Sequence, residues 1–156
     1  MNAIEYIKEH HCKDSIITKD IVLAKFCALE NNYKHSFVIP CNLLNIVYSG
    51  TKILHTVDGD IEVQSGEAFF ITKGEYVMSE VVGETEYKCL LIFFDHHLMR
   101  KLISELPFKL NTNRNIDTKN IFKFPVDAFL QNSVDTLKNY LENKPMDYVV
   151  AAKFSH

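Results

Sequence analysis

The chain has 156 residues, with 17 Lys and Arg against 20 Asp and Glu, a formal charge of −3, and 47% hydrophobic and 24% charged residues. That length is one domain, able to bury about two-thirds of the unfolded chain's surface, and the composition excludes a disordered or fibrous chain. No apolar run reaches the roughly 18–20 residues of a membrane span, no secretory leader opens the chain, and the singly scattered lysines build no counterion-displacing surface for nucleic acid.

A cytoplasmic domain is therefore expected, and if DNA matters to the protein, this segment is not expected to be the part that touches it. Cys12, Cys27, Cys41 and Cys89 include no C-x-x-C pair, and Cys27 and Cys89 sit in apolar runs as buried thiols, so a disulfide framework is not expected.

Up to about residue 95, short runs rich in Val, Ile, Phe and Tyr alternate with Gly, Asn, Asp and Pro. Strands are expected near 20–28, 34–39, 43–48, 51–57, 61–63, 67–71, 76–82 and 86–94. Val57-Asp58-Gly59-Asp60 is the strongest hairpin signal, with Ser49-Gly50 and Lys73-Gly74 as further turns. Many short antiparallel strands imply a sandwich or barrel.

From Asp95 the period becomes helical. Asp95 can cap a helix carrying Leu98, Leu102 and Leu106 that Pro107 stops. Residues 111–120 read as an exposed loop. A second helix is expected over 125–142, and a third from Pro145 that meets no stop signal before His156, as in a domain cut from a longer polypeptide. The expected fold is thus mostly β with C-terminal helices, a barrel over 1–94 and a helical segment over 95–156.

Leu130, Val134, Leu137 and Leu141 step by 4, 3 and 4 along the second helix, the a/d spacing of two-helix packing. That stripe fits either a homodimer seam or packing against the chain's own barrel. Burying four such side chains supplies on the order of 6–10 kcal/mol gross, before association entropy. Tyr48, His55, Tyr76 and Val77 are candidates to line a pocket inside the barrel; for His55 a solvent-facing strand position is the alternative. No nucleophile motif or phosphate loop marks an enzyme.

Gly66-Glu67-Ala68-Phe69-Phe70-Ile71-Thr72-Lys73-Gly74-Glu75-Tyr76-Val77 resembles the cupin pattern, in which glycine, proline, glycine and histidine recur at fixed spacing. The resemblance implies a double-stranded β-helix, or jelly-roll, barrel. Val77 falls where the family has a histidine ligand, Thr72 falls at the proline, and Gly50 to Val63 offers His55 alone. A site for Zn, Fe or Mn wants three or four convergent ligands, so neither metal nor another cofactor is expected.

Residues 43–99, with Leu44 to Gly50 and Leu90 to Asp95 among them, are similar to the N-terminal domain of AraC-type transcription regulators, nearest the type III secretion activator branch. That resemblance implies a non-enzymatic regulatory and dimerisation module that senses a small effector or a partner protein and controls an attached DNA-binding domain. A small cupin enzyme (an isomerase or dioxygenase) or a stand-alone ligand-binding module is the alternative.

Overall fold

The computed structural model describes residues 1–10, 15–17, 21–95, 121–128, 130–132, 135, 136 and 139. In chain order these form α1 (Ala3–His10), β1 (Ser15–Ile17), β2 (Ile21–Ala28), β3 (Asn32–Ile39), β4 (Asn42–Ser49), β5 (Thr51–Thr56), β6 (Gly59–Gln64), β7 (Glu67–Ile71), β8 (Gly74–Val81), β9 (Tyr87–Phe94) and β10 (Ile121–Pro125). The described residues between 128 and 139 are helical.

The eight strands expected from the sequence are β2 to β9, and they form the eight-stranded jelly-roll order. One sheet runs β1-β2-β9-β4-β7-β10 and the other β3-β8-β5-β6. Pairing within each is antiparallel. The two sheets stack as an open sandwich and do not close into the expected barrel. β5 and β6 meet through the Val57-Asp58 turn, where Gly59 takes φ 126° and the Thr56 hydroxyl donates to the Gly59 carbonyl at 2.7 Å. Gly50 turns β4 into β5 with φ 81°, and a Cβ there would lie 2.5 Å from the Val81 carbonyl oxygen, so only glycine fits.

The two sheets differ in what covers them. Alternate residues of β4, β7 and β9 enter the inner core beside Leu54, Val63, Tyr76 and Met78 of the facing sheet. The other set, including Leu44, Ile46, Phe70, Leu90 and Ile92, forms a second core on the outer face with Phe124 and Leu130. The six-stranded sheet is thus buried on both sides, which explains its near-continuous apolar runs. β6 is exposed on one face and its sequence alternates accordingly, whereas β3 is exposed over most of its length.

Three elements depart from the sequence expectation. α1 forms where no element was expected from the sequence; the Asn2 side-chain oxygen caps it by accepting from the N–H groups of Ile4 and Glu5 at 3.0 and 3.2 Å. β1 adds an edge strand. β10 brings residues from beyond 95 into the sheet beside β7, with Pro125 ending that strand and not starting a helix. The helical residues begin at 128 and Asp127 caps them, its carboxylate accepting from the Leu130 N–H at 2.8 Å. The expected helices from Asp95 and from Pro145, and the loop over 111–120, lie outside the described residues.

Candidate functional site

The four pocket candidates separate onto three surfaces. Tyr76 points into the sandwich, where its hydroxyl donates to the Thr72 carbonyl at 2.7 Å. Val77, the next residue, therefore points outward and is 38% exposed. The cupin-like spacing placed position 77 inside; the strand register places 76 there, and a shift of one residue exchanges the faces. Tyr48 packs on the outer face of the six-stranded sheet, where burial, with the charge of Asp135 added, raises its phenol pKa. His55 lies on the outer face of the four-stranded sheet and bonds Asp60 there, away from the interior. Leu130 is buried against its own chain's six-stranded sheet. Val134, Leu137 and Leu141 lie outside the described residues.

β8 instead organises two polar networks on opposite faces through adjacent residues. On the outer face, the Lys34 N–H donates to the Ser79 hydroxyl at 2.8 Å, Ser79 is 2.7 Å from His55 Nε2, and His55 Nδ1 is 2.8 Å from the Asp60 carboxylate. The connectivity is that of a Ser-His-Asp triad. Its accessibility is not. Ser79 is 1% exposed and lines neither of the cavities described below, and its oxygen is already occupied by the Lys34 N–H. The network pins the irregular start of β3, where Lys34 takes φ 49°, onto β8 and β5.

On the inner face, Glu80 is 1% exposed, and its carboxylate accepts from Lys52 Nζ at 2.8 Å and from His35 Nε2 at 2.8 Å. Burial alone pushes the Glu80 carboxyl up, but the charge of Lys52 and the hydrogen bonds from His35 and Lys52 together hold it below its ordinary value. Lys52 Nζ also lies 5.8 Å from the centre of the Tyr87 ring. Both side-chain polar atoms of Asn45, on β4 across the sandwich, are buried without a hydrogen-bond partner, as is the Tyr87 hydroxyl. Each such group costs about 1–3 kcal/mol if it stays unpaired. The Cys89 thiol beside them is pushed up to about 11 by burial, which leaves it protonated and unreactive at neutral pH.

Asn45, Lys52, Glu80 and Cys89 form the polar end of an inner chamber of about 50 Å³ whose other walls include Ile7, Phe37, Met78 and Phe93. An outer vestibule of about 240 Å³, bounded by Met1, Tyr6, His35 and Ser36, shares Tyr6, Phe26, Phe37 and Glu80 with it. α1 forms the rim: Ala3 and Ile7 are buried, and Tyr6 meets Phe37 edge-on at 5.5 Å. Sequence reasoning missed this site. Lys52 and Glu80 are 28 residues apart and His35 and Glu80 45, so only strand register brings them together. The one local signal was Asn45, a lone amide inside Leu43-Leu44-Asn45-Ile46-Val47.

The described residues thus form an open jelly-roll with a buried ion pair at the polar end of its inner chamber. Residues 42–155 match the family described as the ExsA N-terminal regulatory domain, and the chain belongs to that family. The resemblance to AraC-type regulators holds. Among solved structures, an apo single-residue variant of ToxT from Vibrio cholerae is similar at a TM-score of 0.56 and 9% identity, over 89% of this chain and 54% of that one. Wild-type ToxT with an unsaturated fatty acid bound gives 0.55 and 9%, over 89% and 53%. A cupin domain from Bordetella pertussis gives 0.43 and 12%, over 51% and 86%. At these identities the ToxT structures establish the fold alone, and the chain spans about half their length. No curated protein sequence matches the chain significantly. Among the described residues no helix is long and apolar enough to cross a membrane.

Proposed function

We propose that this chain is the cytoplasmic input half of an AraC-type transcription regulator: non-enzymatic, homodimeric, and coupled to a DNA-binding domain whose presentation it controls. The observation that carries the proposal is the regulatory-domain family match over 42–155. An input changes such an equilibrium only if it binds one arrangement better than the other. ToxT, a protein of similar fold, has been crystallised with an unsaturated fatty acid bound, which supports a small molecule as one form of input; a partner protein on the outer surface is the other.

The stripe of Leu130, Val134, Leu137 and Leu141, expected from the sequence to share one helix, is the proposed pairing element. Leu130 packs on its own chain, so pairing falls to Val134, Leu137 and Leu141. To test this, the chain is fused to a DNA-binding domain that represses a reporter only as a dimer. Repression by the fusion, lost in Leu137→Asp, is the expected result. A fusion that is folded and expressed but does not repress would overturn the pairing proposal.

A further inference from the structure

We propose that the inner chamber is a binding site for a small amphiphile with an uncharged head that both donates and accepts hydrogen bonds, a primary carboxamide being the simplest, on a short apolar body. This deepens the effector form of the function proposed above and rests on it.

The charges in the chamber are already matched. Lys52 is committed to Glu80 at 2.8 Å, and Glu80 receives His35 as well. An incoming carboxylate would meet Glu80 with no uncommitted cation to hold it, and an incoming ammonium would meet Lys52. Among the residues lining the chamber the unmatched group is Asn45, which is fully buried and makes no hydrogen bond through its amide oxygen or its amide nitrogen; the buried Tyr87 hydroxyl and His35 Nδ1, outside that lining, also lack one. A primary carboxamide can answer both at once, accepting from Nδ2 and donating to Oδ1.

The size of the site agrees with that assignment. A chamber of about 50 Å³ holds a head group or a few waters and no more. The body then extends past Phe26 and Phe37 into the vestibule of about 240 Å³, where the rim residue Tyr6 and the ring of Phe37 offer apolar surface.

The test titrates the 156-residue chain at pH 7.5 with hexanamide, hexanoate and hexylamine, which share one chain length and differ in head charge. Saturable binding of hexanamide, at least tenfold tighter than either charged analogue and weakened at least tenfold in Asn45→Leu, is the expected result. Equal or tighter binding of hexanoate, or no saturable binding of hexanamide to the wild type, would overturn the proposal. The head-group comparison is made on the wild type, so it stands even if Asn45→Leu fails to fold. If hexanamide does not bind while the dimer-dependent fusion represses, this site is wrong and the regulatory function stands. If hexanamide binds and the fusion never represses, the site stands and the pairing half of that function falls.

Discussion

The two faces of the four-stranded sheet carry nearly the same chemistry in opposite surroundings. Adjacent residues of β8, Ser79 and Glu80, each hold a histidine: His55 outside and His35 inside. Outside, the network ends on Asp60, whose side chain is 59% exposed, so solvent screens that charge. Inside, Lys52 and Glu80 are 8% and 1% exposed in their side chains, and each depends on the other for the solvation it lost. The outer network fastens one strand to the sheet. The inner one places a neutralised charge pair at the end of a cavity. Burial, more than residue type, separates a structural clasp from a candidate recognition site.

Breaking the inner pair on one side tests this contrast most strongly. Lys52→Met leaves the buried Glu80 carboxylate without its lysine and with His35 as its remaining partner, and should cost about 3–5 kcal/mol in chemical denaturation. Lys52→Met with Glu80→Met should return to within about 1–2 kcal/mol of the wild type, because no lone charge remains. A double variant as unstable as the single one would mean that the pair is worth more than its mutual neutralisation.

The pH dependence follows from the same residue. The folded-state pKa of Glu80 lies below its ordinary value of 4.5. Its contribution is therefore fully present above that ordinary value and is lost as pH falls through the depressed one. Melting temperature should decline as pH drops from 5 toward 3, and Glu80→Gln, already less stable at pH 7, should decline less steeply over that range.

Changes on the outer face should be smaller. Ser79→Ala leaves the Lys34 N–H and the buried edge of His55 without their partner and should cost about 1–2 kcal/mol. Asp60→Asn removes only an exposed charge from His55 and should cost less than about 1 kcal/mol. An Asp60 effect as large as that of Ser79 would place the outer network in the same buried class as the inner one.

The strands were legible because their residues alternate or run apolar between glycine turns, and β2 to β9 occupy the expected stretches to within about two residues. β10 was not, because Pro125 resembles a helix start as much as a strand end, and only pairing with β7 distinguishes the two. α1 had an available signal in Asn2 with Glu5 three residues on, a cap followed by an acid in the first turn. The site was the least legible part. Lys52 and Glu80 look like ordinary surface charges in the sequence, and the one-residue difference between Tyr76 and Val77 decides which side chain enters the sandwich. Register of that kind is a property of paired strands.

The most direct measurement of the proposed role is the mass of the chain in solution by light scattering, for the wild type and for Leu137→Asp. Twice 18.0 kDa for the wild type, and 18.0 kDa with unchanged β-rich circular dichroism for the variant, is the predicted outcome. A wild type that stays at 18.0 kDa at high concentration, or a variant that unfolds, would contradict it and assign the stripe to the chain's own core.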